Sequence, residues 1–245
     1  MKHVLKPFKW FLRWAARRSA KVVAISSYTA NELRELVDIP IEVIPYSASL
    51  PPASGTVSPS DGRPSILFVG RLVERKGVSV LIEAVGRLQN RDARLVIVGE
   101  GPERSRLEAL SRQTGVADRV EFRGKVSDAE LQRAYQRASA FVLPSVLDTR
   151  GDTEGLGVVL LEAMNYGVPV VASRIGGIVD VVADRDSGLL VPAGDPTALA
   201  EALDGLFASP DEARRLGEGG RKRLREQFSW DAIVARWDAL YRSLR

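Results

Sequence analysis

The chain has no cysteine and a single histidine in 245 residues. The first absence excludes a disulfide scaffold and thiol catalysis, and fits a reducing compartment. The second removes histidine-based metal sites and a Ser/His/Asp triad, since His3 lies in the terminal segment. Long apolar runs are missing too. Charges interrupt every one well short of a membrane span. Met1 to Ala24 is basic but holds no compact uncharged stretch, so a secretory signal is not expected.

Acidic residues are absent from one place in particular. The first 30 residues carry Lys2, Lys6, Lys9, Arg13, Arg17, Arg18 and Lys21 with no Asp or Glu. The whole chain is only +4, so the part from residue 31 onward is mildly acidic. A nucleic-acid binder should carry its basic footprint on the folded domain, so no nucleic-acid partner is expected.

What is present is an alternation. From Ser65 onward, short β-branched runs (Ile66–Gly70, Leu95–Gly99, Val120–Arg123, Ala140–Pro144, Val168–Ala172, Leu189–Val191) alternate with amphipathic segments. The latter fall near 78–89, 103–114, 128–138, 156–166, 197–208, 211–226 and 230–243. Apolar strands separated by helices predict an α/β fold with a doubly wound parallel sheet. Ligands in that architecture sit at the strand carboxyl ends. The spacing divides the chain into a segment 1–46 with a basic amphipathic helix, a Ser/Pro-rich linker 47–62, a Rossmann-like domain 63–228 and a final helix 229–245. Within 1–46 we expect strands at Val22–Ile25 and Ile41–Pro45, and a helix whose capping box is Thr29-x-x-Glu32.

The common nucleotide fingerprints fail. Gly99-Glu100-Gly101-Pro102-Glu103-Arg104 has arginine where a third glycine belongs, and no GxxxxGK[ST] occurs. Three other features stand out. In Gly70-Arg71-Leu72-Val73-Glu74-Arg75-Lys76-Gly77, Arg71 and Lys76 can converge on an anion; a solvated basic loop is the bland alternative. In Glu154-Gly155-Leu156-Gly157, running on to Glu162, glycines leave amides open at a helix start. Read as helix, the interval from Glu154 to Glu162 spans ~12 Å, so two carboxylates could address two ends of one ligand. A capping Glu154 and a solvated Glu162 is the alternative. In Ser173-Arg174-Ile175-Gly176-Gly177-Ile178, paired glycines after a strand allow backbone to approach a ligand.

Together these stretches, with RVEFRGKVSDAELQRAYQRASAFVLPS and SGLLVPAGD, resemble the donor half of retaining GT-B glycosyltransferases, the glycosyl transferases group one family. The likeness covers roughly residues 65–200, and is weaker at 20–46 and 228–243. It implies a metal-independent transfer with retention from a UDP- or GDP-sugar, with no cofactor, in glycan, glycolipid or cell-envelope polysaccharide synthesis. By resemblance Arg71 and Lys76 clamp the diphosphate, and Glu162 holds the ribose hydroxyls. Glu154 with the amides of Gly155, Leu156 and Gly157 surrounds the donor sugar, and the turn through Val126 receives the base. Arg71, Lys76 and Glu154 are the catalytic candidates. Asp180 stands where the family often has Glu. Residues 1–46 resemble only the last part of the acceptor half, so the chain is expected to bind donor better than it turns it over. A non-catalytic sugar-nucleotide-binding half or subunit is the alternative.

The acceptor is unassigned. A cytoplasmic location is expected. Along the first helix, Lys6, Lys9, Arg13 and Arg17 line one face and Val4, Phe8, Phe11 and Ala15 another, with Trp10 and Trp14 beside them. That pattern over residues 4–18 suits peripheral contact with an anionic membrane at its inner face. Docking of the apolar stripe onto an acceptor half is the competing reading.

Overall fold

The computed structural model of the chain describes residues 6–48 and 62–244. His3, Val4 and residues 49–61 of the expected linker lie outside the described residues. The first unit runs α1 (Lys6–Arg18), β1 (Val22–Ala24), α2 (Ser27–Arg34) and β2 (Ile41–Val43), with the two strands parallel. The capping box of α2 is shifted from the expected one. Ser26 is the N-cap and Thr29 its partner, each side chain bonding the other's backbone amide. A hydroxyl three residues on replaces the usual Glu, which is why Thr29 read as the cap itself.

The second unit carries the sheet. Its elements are β3 (Ser65–Val69), α3 (Val78–Arg87), β4 (Arg94–Val98), α4 (Arg104–Gln113), β5 (Val120–Gly124), α5 (Asp128–Arg137) and β6 (Ala140–Leu143). They continue as α6 (Val158–Asn165), β7 (Val170–Ser173), α7 (Ile178–Val181), β8 (Leu189–Val191), α8 (Pro196–Ala208) and α9 (Pro210–Arg223). A π-helical turn at Leu224–Phe228 leads into α10 (Trp230–Arg242). The strand order is β5-β4-β3-β6-β7-β8, all parallel, so the expected α/β doubly wound sheet is present. Every residue of β6 and β7 is buried, as strands covered on both faces must be. The sequence reading placed the start of β7 two residues early, because Val168 and Pro169 continue its apolar run. It also missed the one-turn α7, too short to show a period.

The order reverses between β3 and β6, and that crevice is where such sheets bind ligands. Two loops meet there. The 3-10 turn Glu74–Lys76 after β3 rests on the loop 144–157 after β6, with Val146 N donating to Arg75 O at 2.9 Å. Gly77 permits the approach: its φ is +64°, and a Cβ there would stand 1.9 Å from Pro144 O. Thr149 fastens the same loop through its hydroxyl to Glu74 Oε2 at 2.9 Å.

The first unit is tied to the second on two sides. Ile44, just after β2, is buried against Ile233 and Leu240 of α10. Ser27, at the start of α2, donates its amide and hydroxyl to Asp180 of α7 at 2.5 and 2.6 Å. Ser47 and Ala48 are buried, Ala48 within the main core, so the body begins before the expected linker ends.

Candidate functional site

The site is built from three polar groups that the fold draws under its surface at the switch point. Lys76 is 9% exposed, Glu154 8% and Glu162 9%. Burying a charge costs several kcal/mol unless it is paired, so each should have a partner. Lys76 Nζ donates to Glu154 Oε2, and Arg75 stands 3.6 Å from the same oxygen. Glu162 is held differently. Its Oε2 accepts a 2.8 Å hydrogen bond from the hydroxyl of Tyr135, a fully buried side chain on α5. Tyr135 is fixed in turn by stacking on Tyr166, with ring centroids 5.4 Å apart.

These environments set the protonation chemistry. Burial pushes the Glu162 carboxyl above its ordinary value, and the Tyr135 hydrogen bond pulls it part of the way back. Burial, with the nearby Glu162 charge, drives the Tyr135 phenol well above its own. Glu162 is therefore a carboxylate short of donors, and hydroxyl groups from a ligand would favour its ionised form.

Glu154 sits in the loop rather than on the helix, since α6 starts only at Val158. The ~12 Å helical interval expected between the two carboxylates does not apply, because half of it is loop. Gly155, Leu156 and Gly157 form the approach to α6. Their amides donate to no acceptor among the described residues, and Gly157 caps the helix without a side chain. Open amides at a helix start attract anions. Ser145 Oγ and Thr153 Oγ1, in the same loop, are also buried without a hydrogen-bond partner among the described residues. Unsatisfied buried groups of this kind cost about 1–3 kcal/mol each.

The glycine pair Gly176-Gly177 serves a different end from the one expected. A Cβ at Gly176 would lie 2.2 Å from Glu154 O, and one at Gly177 2.0 Å from Gly155 O. Gly177 N also donates to Glu154 O at 2.9 Å. The close approach is to the Glu154–Gly155 backbone, so the turn shapes the site from behind.

Not every expected residue joins the cluster. Arg71 is exposed and forms no ion pair among the described residues, whereas its neighbour Arg75 faces Glu154. The 3-10 turn decides which cation points inward, and the sequence did not show that turn. Val126 is half-buried beyond β5, packed on the main core and linked to the Lys76–Glu154 pair by no hydrogen bond. Tyr135 was missed, although a tyrosine in the apolar phase of a helix needs a partner for its hydroxyl.

Metal ligation finds no obvious set. Among the described residues no three His, Cys, Asp or Glu side chains cluster. One Asp-x-Asp spacing does occur, Asp184-Arg185-Asp186, but Asp184 is engaged by Arg174 at 2.5 Å and by the Leu190 amide at 2.9 Å. Among the described residues no helix is long and apolar enough to cross a membrane.

A doubly wound parallel sheet with a crevice at its switch point defines the class of Rossmann-like α/β domains. Within that class the chain belongs to the Glycosyl transferases group 1 family, which matches residues 56–223. A GDP-mannose-dependent alpha-(1-6)-phosphatidylinositol monomannoside mannosyltransferase of Mycobacterium tuberculosis is 38% identical over 179 residues, 71% of this chain and 46% of that protein. The alpha-D-kanosaminyltransferase of Streptomyces kanamyceticus is 30% identical over 96% of this chain and 64% of its own length. The sucrose-phosphate synthase structure from Thermosynechococcus elongatus superposes with a TM-score of 0.83 at 30% identity, covering 99% of this chain and 63% of that one. Its neighbours in fold are GT-B glycosyltransferases. The chain thus spans about half to two thirds of the length of these relatives.

Proposed function

We propose that this chain is the donor-binding part of a glycosyltransferase that takes a nucleoside-diphosphate sugar. The observation that carries the reading is the buried Lys76–Glu154 pair beside the start of α6, with a second buried carboxylate, Glu162, held on that helix by Tyr135. A diphosphate arriving at the open amides of Gly155, Leu156 and Gly157 would compete with Glu154 for Lys76, and Arg71 and Arg75 stand on the same loop. Glu162, short of donors, would accept the two ribose hydroxyls. Val126 and its turn would meet the base through the backbone.

In the transfer step, charge grows on the departing diphosphate as the glycosidic bond breaks. The helix-start amides, already open, would lower the barrier without reorganisation, and Lys76, once it leaves Glu154, and Arg71 would add cationic charge from the neighbouring loop. Glu154, released from Lys76, faces the sugar. Cations and amides supply the stabilisation, so the reading includes no metal and no cofactor, and retention at the anomeric carbon follows the family likeness. The mycobacterial relative's name specifies GDP-mannose, which puts GDP- beside UDP-sugars as donors to test. The acceptor, in glycan, glycolipid or envelope polysaccharide synthesis, would bind on the side of α2, where Gly155 faces Ile25 and Thr29. A cytoplasmic site of action is part of the same reading.

Thermal unfolding with UDP, GDP, ADP and their sugars, with and without a chelator, tests this. A nucleotide at 100 times its Kd adds about 2.7 kcal/mol. Glu162→Ala should weaken calorimetric binding by ~1.5–3 kcal/mol through lost charged hydrogen bonds. Stabilisation by none of these nucleotides, or affinity unchanged in Glu162→Ala, overturns the assignment. Binding without transfer to any acceptor would favour a non-catalytic sugar-nucleotide-binding half.

A further inference from the structure

Helix α1 splits the apolar stripe seen in its sequence, turning Ala15 inward and Phe8 and Phe11 outward. Leu12, Ala15 and Ala16 face the body, lining a small apolar hollow with Val22, Leu33 and Val37. The large aromatics point out: Trp10 is 68% exposed, Phe8 52%, Phe11 49% and Trp14 42%. Docking onto this body therefore accounts for Leu12 and the alanines and leaves four aromatic rings in water.

Their surroundings are cationic. Arg13, Arg17 and Arg18 are exposed and Lys9 is half-buried, and α1 contains no acid. The Arg18 guanidinium lies over the Trp14 ring at 4.7 Å, and Phe11 stacks on Trp14 at 5.9 Å. Arg13 Nε donates to Leu36 O at 2.8 Å, which brings the helix against the end of α2. Between them runs an open cleft of about 610 Å³ lined by Trp10, Trp14, Arg13, Arg17, Arg18 and Arg34. The acids in its wall, Glu35 and Asp38, come from the turn after α2. The other exposed aromatic face, Trp230, Val234 and Tyr241 on α10, is interspersed with Asp231 and Asp238 and selects no charge. Only α1 among these helices couples outward aromatics to cations of one sign.

We propose that α1 is an interfacial anchor, laying Trp10, Phe11 and Trp14 into the headgroup region of an anionic bilayer while Lys9, Arg17, Arg18 and Arg34 meet lipid phosphates. Tryptophan and arginine suit that boundary because each presents an apolar or planar body with a polar tip. The helix lies in the plane of the surface. At 13 residues it is too short to cross.

The test uses the full chain with phosphatidylcholine vesicles, with and without phosphatidylglycerol, in co-sedimentation at low and high salt. Binding should require the anionic lipid and weaken in high salt, with a blue shift of tryptophan emission. Arg17→Gln and Arg18→Gln should each reduce the partition coefficient about five-fold, and Trp10→Ser with Trp14→Ser should abolish the binding. Circular dichroism checks that all three variants remain folded. Equal binding to neutral vesicles, indifference to salt, or binding that survives the tryptophan changes overturns the anchor. So does self-association of the chain that the tryptophan changes remove, which would make α1 a protein-docking face. GDP and UDP titrations of the same variants stay unaffected, so failure of the anchor and failure of the nucleotide site are read separately.

Discussion

The six-stranded unit hides charge and the two-stranded unit displays it. Lys76, Glu154 and Glu162 are each less than a tenth exposed, in a unit whose core includes Phe68, Leu95, Phe141 and Leu160 at 0%. The first unit buries only Ala24, Ala30, Val37 and Ile41 in its own cluster, and Arg13, Arg17 and Arg18 of α1 are exposed. The difference follows from size. A deep core can hold a charge in place and supply it with partners from neighbouring elements, while the thin layer holds only the Ser26 hydroxyl, partnered within its own helix start. The large unit is thus equipped to grip a small charged ligand, and the small one to meet a surface.

The sharpest way to break that comparison is to strand one of the buried charges. Lys76→Met leaves Glu154 buried with only Arg75 nearby, and should cost about 3–5 kcal/mol in urea denaturation. Changing both residues, Lys76→Met with Glu154→Leu, should recover most of the loss, because the pair's desolvation goes with it. A cost below about 1 kcal/mol for the single change would mean that Arg75 takes over the carboxylate.

Core truncation compares the units directly. Leu95→Ala, in the centre of the large core, should destabilise by about 2–5 kcal/mol. Ile41 is 8% exposed in a cluster of four buried residues, so Ile41→Ala should fall at or below the lower end of that range. Equal costs would show that the small unit is as tightly packed as the large one.

The large unit was legible because its signals are local and repeated. Apolar runs such as Ile66–Phe68 and Val170–Ala172 admit few readings, and the glycines around Glu154 mark a loop entering a helix. What escaped was set by tertiary packing. Nothing in the run Arg71 to Lys76 says that a 3-10 turn will bury Lys76 and expose Arg71. Nothing in α1 says that Leu12, Ala15 and Ala16, rather than Phe8 and Phe11, will face inward, since both sets keep helical spacing. The role of Gly176-Gly177 depends on a loop 22 residues earlier lying against it, as the Gly177 amide bond to Glu154 shows.

Tyr135→Phe probes how a deep core tunes charge. Glu162 is raised by burial, so its folded form binds a proton more readily than the unfolded chain. Its contribution to stability is complete below the ordinary carboxylate range and is lost as pH rises through its raised folded value. Removing the phenol deletes the one hydrogen bond that pulls Glu162 back. The variant should therefore lose about 1–3 kcal/mol at neutral pH and less in mild acid. The pH profile of nucleotide binding should move upward with it. A loss independent of pH would reduce Tyr135 to a packing residue.

The smallest expected effect lies at the seam between the units. Asp180 accepts the Ser27 amide and hydroxyl at 2.5 and 2.6 Å, placing a carboxylate at the start of α2 where the helix dipole favours one. On the other side, α10 clasps the small unit through Ile233 and Leu240 on Ile44, and through Arg236, which donates to Val43 O. Asp180→Ala therefore loosens one tie among several, Ile25 being packed on the main core as well, and cannot detach the unit. Its cost should be about 1 kcal/mol, confined to the small unit. Hydrogen exchange reads that locally. The Ala30 and Ile44 amides, bonded to Ser26 O and Ala24 O, should exchange about five-fold faster, while the Phe141 amide between β6 and β7 keeps its rate. Faster exchange at Phe141 as well would mean that the two units open together, and that the contrast in their cores does not make them separate cooperative elements.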